Sequence, residues 1–240
     1  MDEIRGLAVI AMVVYHLFYT MGYVYHIQAG SSAFSFLTPF SPIVPIVFIT
    51  ISGISSQLSR SNIRRGAKLL PIAAAVTLVT VLITPQNAIY FGILHFLSIA
   101  MLLYGLVKRW LDQIPLQVGL VVCLVLYLIA YGIPSGMLGI PGILSVRLPA
   151  QPYSTNFLFP LGFPGPGFVS ADYFPIFPNL FLFLFGTYLG KYALLGKFPG
   201  FLYKKRVAFL AFTGRHALWI YILHQPVIFG ILWLITSLTS

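Results

Sequence analysis

The sequence predicts an all-α fold, a polytopic bundle of about seven transmembrane helices with a Pro/Gly-rich loop outside the membrane. Three observations predict it. The 240 residues are 59% hydrophobic and 8% charged, with a mean hydropathy of +0.94. Soluble domains are roughly a quarter charged, so this composition cannot clothe a water-facing surface. Apolar runs near the roughly 20 residues that cross a bilayer recur along the chain, and the basic residues between them segregate to alternate connections.

In order, the spans fall at 4–25, 42–58, 69–84, 90–107, 116–133, 174–192 and 214–237. The first opens on Asp2, Glu3 and Arg5. Its apolar run is longer than a signal h-region and no small-residue cleavage pattern follows, so it is expected to be retained. The second ends in the small residues of "SGISS", and the cations Arg60, Arg64, Arg65 and Lys68 precede the third. The fourth holds His95. The fifth holds Cys123, whose solitude excludes a disulfide framework and a Cys-based metal site. Residues 134–173 carry too many helix breakers to span and too few charges for a disordered tail. They are expected to form an ordered lid over the outer mouth, because irregular backbone near a bilayer must rest on protein or line a wet cavity. The last span holds His224 and Pro226, whose missing N–H kinks a helix. Residues 1–240 are read as one domain.

The net charge of +10 could suggest nucleic acid, but its distribution argues against that partner. With the N-terminus in the cytoplasm, Arg60, Arg64, Arg65, Lys68, Lys108, Arg109, Lys191, Lys197, Lys204, Lys205 and Arg206 fall in inner connections. Arg5 and Arg215 cap inner helix ends, and of the fourteen Lys and Arg only Arg147 lies outside. This is the positive-inside pattern, and lipid headgroups suffice as partners.

The first stretch, "DEIRGLAVIAMVVYH", places His16 eleven residues after Arg5. That is nearly three turns, so the two differ by about 20° around the axis and about 16 Å along it. Intramembrane ionisable groups face the bundle interior and mark relays or pathways. His95 and His224 come from other helices at compatible depths, while His26 lies at the outer end of the first span. No carboxylate or thiolate accompanies them in the membrane and no two stand at i,i+4, so a proton-handling cluster is expected and a metal is not. The loop "SGISSQLSRSNIRRGAKLL" suits an anionic phosphate approaching from the cytoplasm. Without a Walker A or GxGxxG motif, a nucleoside triphosphate or Rossmann cofactor does not fit. Asp172, the acid before the sixth span under the loop, reads equally as a surface charge or a site residue.

Together, "DEIRGLAVIAMVVYH", "SGISSQLSRSNIRRGAKLL", "FGILHFLSIAMLL", "SADYFPIFPNLFLFLFGTYLGK" and "GRHALWIYILHQPV" resemble a membrane-bound acyltransferase family. It includes the catalytic region of heparan-alpha-glucosaminide N-acetyltransferase and a bacterial family of unknown function. The Arg-x10-His spacing and a Tyr-x-x-His-x-Pro pattern at Tyr221, His224 and Pro226 are similar to the wider acyltransferase-3 group. The resemblance implies transfer of an acetyl or other acyl group from cytoplasmic acyl-CoA to a sugar amine or hydroxyl, on a carbohydrate or glycoconjugate, at the outer face of a bacterial plasma membrane. Arg5, Arg60, Arg64, Arg65 and Arg215 would then meet the donor's phosphates. The candidates for proton transfer are His16, His26, His95, His224 and Asp172. Eukaryotic members carry an amide where His16 falls and a histidine near the outer end of that helix, so both His16 and His26 stand as the base. A proton-coupled transporter or flippase using the same histidines is the competing function, and a homo-oligomer that completes the bundle stays open.

Overall fold

The structure, a computed structural model, describes residues 1–140, 142–204 and 206–239. Lys205, assigned above to an inner connection, lies outside these, as do Pro141 and Ser240. The elements run α1 (Asp2–Tyr19), α2 (Gln28–Leu37), α3 (Ile43–Gln57), α4 (Asn62–Ile83), α5 (Ile93–Leu111), α6 (Leu116–Ala130), β1 (Met137–Ile140), β2 (Leu144–Arg147), α7 (Ile176–Leu194), α8 (Ala208–Arg215) and α9 (Ala217–Thr239).

The fold is an all-α polytopic bundle. Among the described residues, five stretches are long and apolar enough to cross a membrane: Asp2–Val24, Asn62–Ile83, Ile93–Leu111, Leu116–Ser135 and Ala217–Leu238. A sixth arises if the bent pair Gln28–Phe40 and Ile43–Gln57 forms one span. The sixth expected segment corresponds to α7, whose backbone is non-helical at Phe177. There are two further departures, the first with a local cause. Helix α4 begins at Asn62, seven residues before the expected 69, because Ser61 Oγ accepts from Arg64 N at 3.3 Å and caps it. Arg64, Arg65 and Lys68 therefore ride on helix rather than in a connection. Helix α8 lies where a loop was expected and breaks from α9 at His216.

The chain divides into two compact units, Met1–Ile51 with Phe198–Ser240, and Ser52–Lys197. In the first, α1 continues as a π-helical turn over Thr20–Val24. Bonds from Tyr25 N to Thr20 O (3.1 Å) and Ile27 N to Met21 O (2.9 Å) close that turn. Helix α8 docks on α1 at Gly6, where a Cβ would collide with Leu210 O and the Thr213 hydroxyl. Such close approach gives the van der Waals contact that holds helices together without a hydrophobic drive between them. Both ends of α8 are also served by α1. Glu3 Oε1 accepts from Arg206 N (2.5 Å) and Val207 N (2.8 Å), while Arg5 Nη1 donates to Gly214 O (3.4 Å). An acid at the N-terminus and a cation at the C-terminus match the helix dipole.

In the second unit α4 and α5 pack at Gly66, whose Cβ would press on Ser98 O at 2.7 Å, and Ser98 Oγ donates to Gly66 O at 2.9 Å. Phe96, Tyr104, Phe183 and Tyr188 form the buried aromatic centre. The described residues of the 134–173 segment are ordered. It contains an antiparallel hairpin, β1 on β2, that an all-helical expectation did not include. Residue pairs on either side tie it to the α4–α5 connection: Ala171 N to Ala88 O (3.1 Å), Phe174 N to Phe91 O (2.8 Å) and Tyr90 N to Ser170 Oγ (3.1 Å).

Candidate functional site

Within the first unit, α1 and α9 bring His16 and His224 together with ring centroids 5.0 Å apart. Gln225, next to His224, extends its amide to His16, Nε2 to Nδ1 at 3.1 Å. Thr20 is one turn further along α1 and only 1% exposed. Its hydroxyl donates to His16 O at 2.8 Å and lies 3.4 Å from Gln225 Oε1. His224 Nδ1 lies 2.5 Å from Tyr221 O, so its proton sits on Nδ1 and donates to that carbonyl. Two imidazoles, an amide and a hydroxyl thus share one level of an otherwise apolar helix pair. Low dielectric makes such a polar network strong when it is satisfied.

About 16 Å along α1 stands Arg5. Its guanidinium is ion-paired with Asp2 at 3.0 Å, with the side chain 20% exposed. The bond to Gly214 O sets it beside the last residue of α8, Arg215, which is exposed. His26 is not part of the imidazole pair. It is exposed and ends the first helix in the left-handed region with φ +55°, a conformation histidine adopts more readily than most residues.

The remaining predicted residues belong to the second unit. His95 Nε2 lies 3.3 Å from Thr77 Oγ1, which donates to Ile89 O at 2.6 Å, and its ring stacks on Phe91 at 5.8 Å. Asp172 Oδ2 accepts from Ile93 N at 2.9 Å, capping the first residue of α5. Arg60, Arg64 and Arg65 are exposed at the α3–α4 turn and on α4, with Arg65 Nη1 donating to Ser55 O at 3.4 Å. Among the described residues, no three His, Cys, Asp or Glu gather as a metal would require.

Sequence reasoning passed over Thr20, Thr77 and Gln225. The signal for Gln225 was present in "HQP": an amide beside an intramembrane histidine and directly before a helix-bending proline. It also overlooked a network at the α5 C-terminus. There Lys108 Nζ reaches Gln57 Oε1 (2.8 Å) and Asp112 Oδ2 (2.7 Å), Tyr104 OH donates to Gln57 Oε1, and Lys191 pairs with Asp112 Oδ1 at 3.3 Å. Burial opposes the charge of Asp112, but the two lysines outweigh it and hold the carboxyl below its ordinary range.

A family model described as heparan-alpha-glucosaminide N-acetyltransferase, catalytic, matches residues 1–226. The chain belongs to the heparan-alpha-glucosaminide N-acetyltransferase catalytic family. The matched region ends just past Gln225 and takes in every candidate residue named above. No curated protein and no solved structure matches the chain. Membership of the heparan-alpha-glucosaminide N-acetyltransferase catalytic family, with the membrane-length helices, supports a membrane acyltransferase activity.

Proposed function

We propose that residues 1–240 act as one acyltransferase domain, with the N-terminus in the cytoplasm of a bacterial cell. It moves an acetyl or other acyl group from cytoplasmic acyl-CoA to a sugar amine or hydroxyl at the outer face. The observation that carries this reading is the His16–His224 pair, braced by Gln225 and Thr20, in a chain of this family. His16 takes the proton of the acceptor N–H or O–H while the freed lone pair attacks the thioester carbonyl. Collapse of the tetrahedral adduct breaks the C–S bond, and the CoA thiolate leaves with that proton. His224, ring to ring with His16, takes the part of a relay for that proton. Histidine suits the task because its ordinary pKa is near neutrality.

Gln225 can set which nitrogen of His16 is basic. With the amide N–H toward His16, Nδ1 accepts; with the amide oxygen there, Nδ1 donates and Nε2 becomes the base. The single proton of Thr20 already goes to His16 O, so Thr20 is better used as an acceptor from the Gln225 N–H, which turns the amide oxygen to His16. His16 is preferred to His26, which stands exposed in the turn that ends the helix.

Arg5 and Arg215 supply two guanidiniums towards the other end of α1, and a donor phosphate would replace Asp2 as counter-ion to Arg5. Arg60, Arg64 and Arg65 are further cations for the phosphates, by their charge on the cytoplasmic side. Purified protein should acetylate at least one member of a panel of amino sugars and sugar alcohols from acetyl-CoA. His16→Ala should lower turnover by about 10²–10⁴ with donor binding retained. Parent rates in both His16→Ala and His26→Ala refute a histidine base. Solute movement across proteoliposomes that depends on His16, with no acceptor ever acylated, establishes a transporter instead.

A further inference from the structure

The second unit contains a cavity of about 410 Å³ between the α4–α5 connection and the 134–173 segment. It is lined by Pro85, Gln86, Tyr90, Asn156, Phe159, Gly167, Phe168 and Val169. Its volume falls in the roughly 300–1,000 Å³ range of small-molecule sites. We propose that this cavity binds a neutral sugar ring.

Three features of the lining select that ligand class. The rings of Tyr90, Phe159 and Phe168 form one wall, Phe159 stacked on Phe168 at 4.8 Å and Tyr90 tilted against it at 6.3 Å. Such a wall takes up the C–H face of a pyranose by dispersion and burial. Gln86 and Asn156 each offer a donor and an acceptor, which is what a ring of hydroxyls needs, since every hydroxyl is both. None of the described lining residues is charged, so they give no counter-ion to a phosphate, carboxylate or ammonium group. The absence of Ser, Cys, His, Asp and Glu from the lining makes it a place of binding rather than of reaction.

The wall is continuous with the candidate residues of this unit. Phe159 meets Phe91 edge-on at 6.3 Å, and Phe91 stacks on His95. Tyr173 OH donates to Phe159 O at 2.6 Å, and Ser170 Oγ, which accepts from Tyr90 N, donates to Asp172 O at 2.8 Å. The cavity is therefore built on ordered backbone rather than a floppy tip. The binding of a sugar here does not depend on the acyl transfer proposed above.

The test uses the full chain in a detergent without a sugar headgroup, with no acyl donor present. Maltose, N,N′-diacetylchitobiose and methyl glycosides are titrated by calorimetry and saturation-transfer NMR. At least one should bind with a Kd on the order of 1 mM. Gln86→Ala and Asn156→Ala should each weaken it about threefold to tenfold. Phe168→Tyr should keep binding that Phe168→Ser loses. No binding by any saccharide overturns the proposal, as does binding that all four variants leave unchanged. Binding of a proline-rich peptide or an alkyl chain, with no saccharide bound, overturns it in favour of that ligand. If acyl transfer fails with every acceptor yet the saccharide binds and the variants weaken it, the cavity assignment stands and the transferase reading falls. If transfer proceeds but no saccharide binds, the cavity assignment falls and the transferase reading stands.

Discussion

Replacing Gln225 by Ala separates a network that orients a base from one that only holds two helices together. The side chain makes two contacts, 3.1 Å to His16 Nδ1 and 3.4 Å to Thr20 Oγ1. Two neutral hydrogen bonds, one of them long, contribute about 1–2 kcal/mol net to stability. Melting in detergent should therefore fall by only a few degrees. Turnover should respond more. A histidine that loses the partner fixing its ring and tautomer typically loses about tenfold to a hundredfold in function, less than the loss from removing the histidine itself. The assay is the initial rate of acetyl transfer to the best acceptor, with donor KM followed alongside. Groups that act as a unit are not additive, so Gln225→Ala added to His16→Ala should cost nothing further. Gln225→Glu keeps the acceptor oxygen towards His16 and should recover part of the rate. Parent turnover in Gln225→Ala, or losses that multiply in the double variant, would show that Gln225 does not act through His16.

Arg5→Gln should weaken acetyl-CoA binding by about 1.5–3 kcal/mol, the loss of one charge-assisted contact, with the fold intact; equal affinity by calorimetry removes Arg5 from the donor site. Asp172→Ala should destabilise by about 0.5–2 kcal/mol through loss of the α5 cap, whereas Asp172→Asn keeps an acceptor for Ile93 N and should melt near the parent. A stable but inactive Asp172→Asn assigns the carboxyl to chemistry instead. Asp112 is held below its ordinary range, so its contribution is complete above the unfolded carboxylate pKa of about 3.9 and fades as pH falls through the folded value. Asp112→Asn should accordingly cost about 0.5–1 kcal/mol at pH 7, and parent and variant melts should converge in strong acid.

Long apolar runs and charge segregation made the helical membrane fold legible, because both are local properties of the chain. The depth of His16 relative to Arg5 was legible for the same reason: α1 is regular over that interval. That His16 meets His224 was approachable only as a matter of compatible depth, since no spacing relates residues 208 positions apart. Helix α2 and the β1–β2 hairpin were not legible. One is short and rich in Gly and Ser, "QAGSSAFSFL", and the other is a two-stranded pairing of four-residue strands among breakers. Asp2 and Glu3 looked like ordinary first-turn acids. The i,i+3 partner of Asp2 could be read from the sequence, but the amides that Glu3 satisfies lie 203 and 204 residues away.

That clasp between Glu3 and the start of α8 bears on the order in which the protein is made. The first unit is assembled from the two ends of the chain, about a fifth of its length each, with the whole of Ser52–Lys197 emerging in between. During synthesis α1 enters the membrane long before the backbone N–H groups of Arg206 and Val207 exist, so its acids wait in water while the second unit has all its own residues to fold on. Domains fold as units as they emerge. A nascent chain arrested after Lys197 should therefore carry a protease-resistant second unit and a first helix still exposed to the insertion machinery and to quality-control proteases. Emergence of residues 198–240 becomes the step that lets the first unit close.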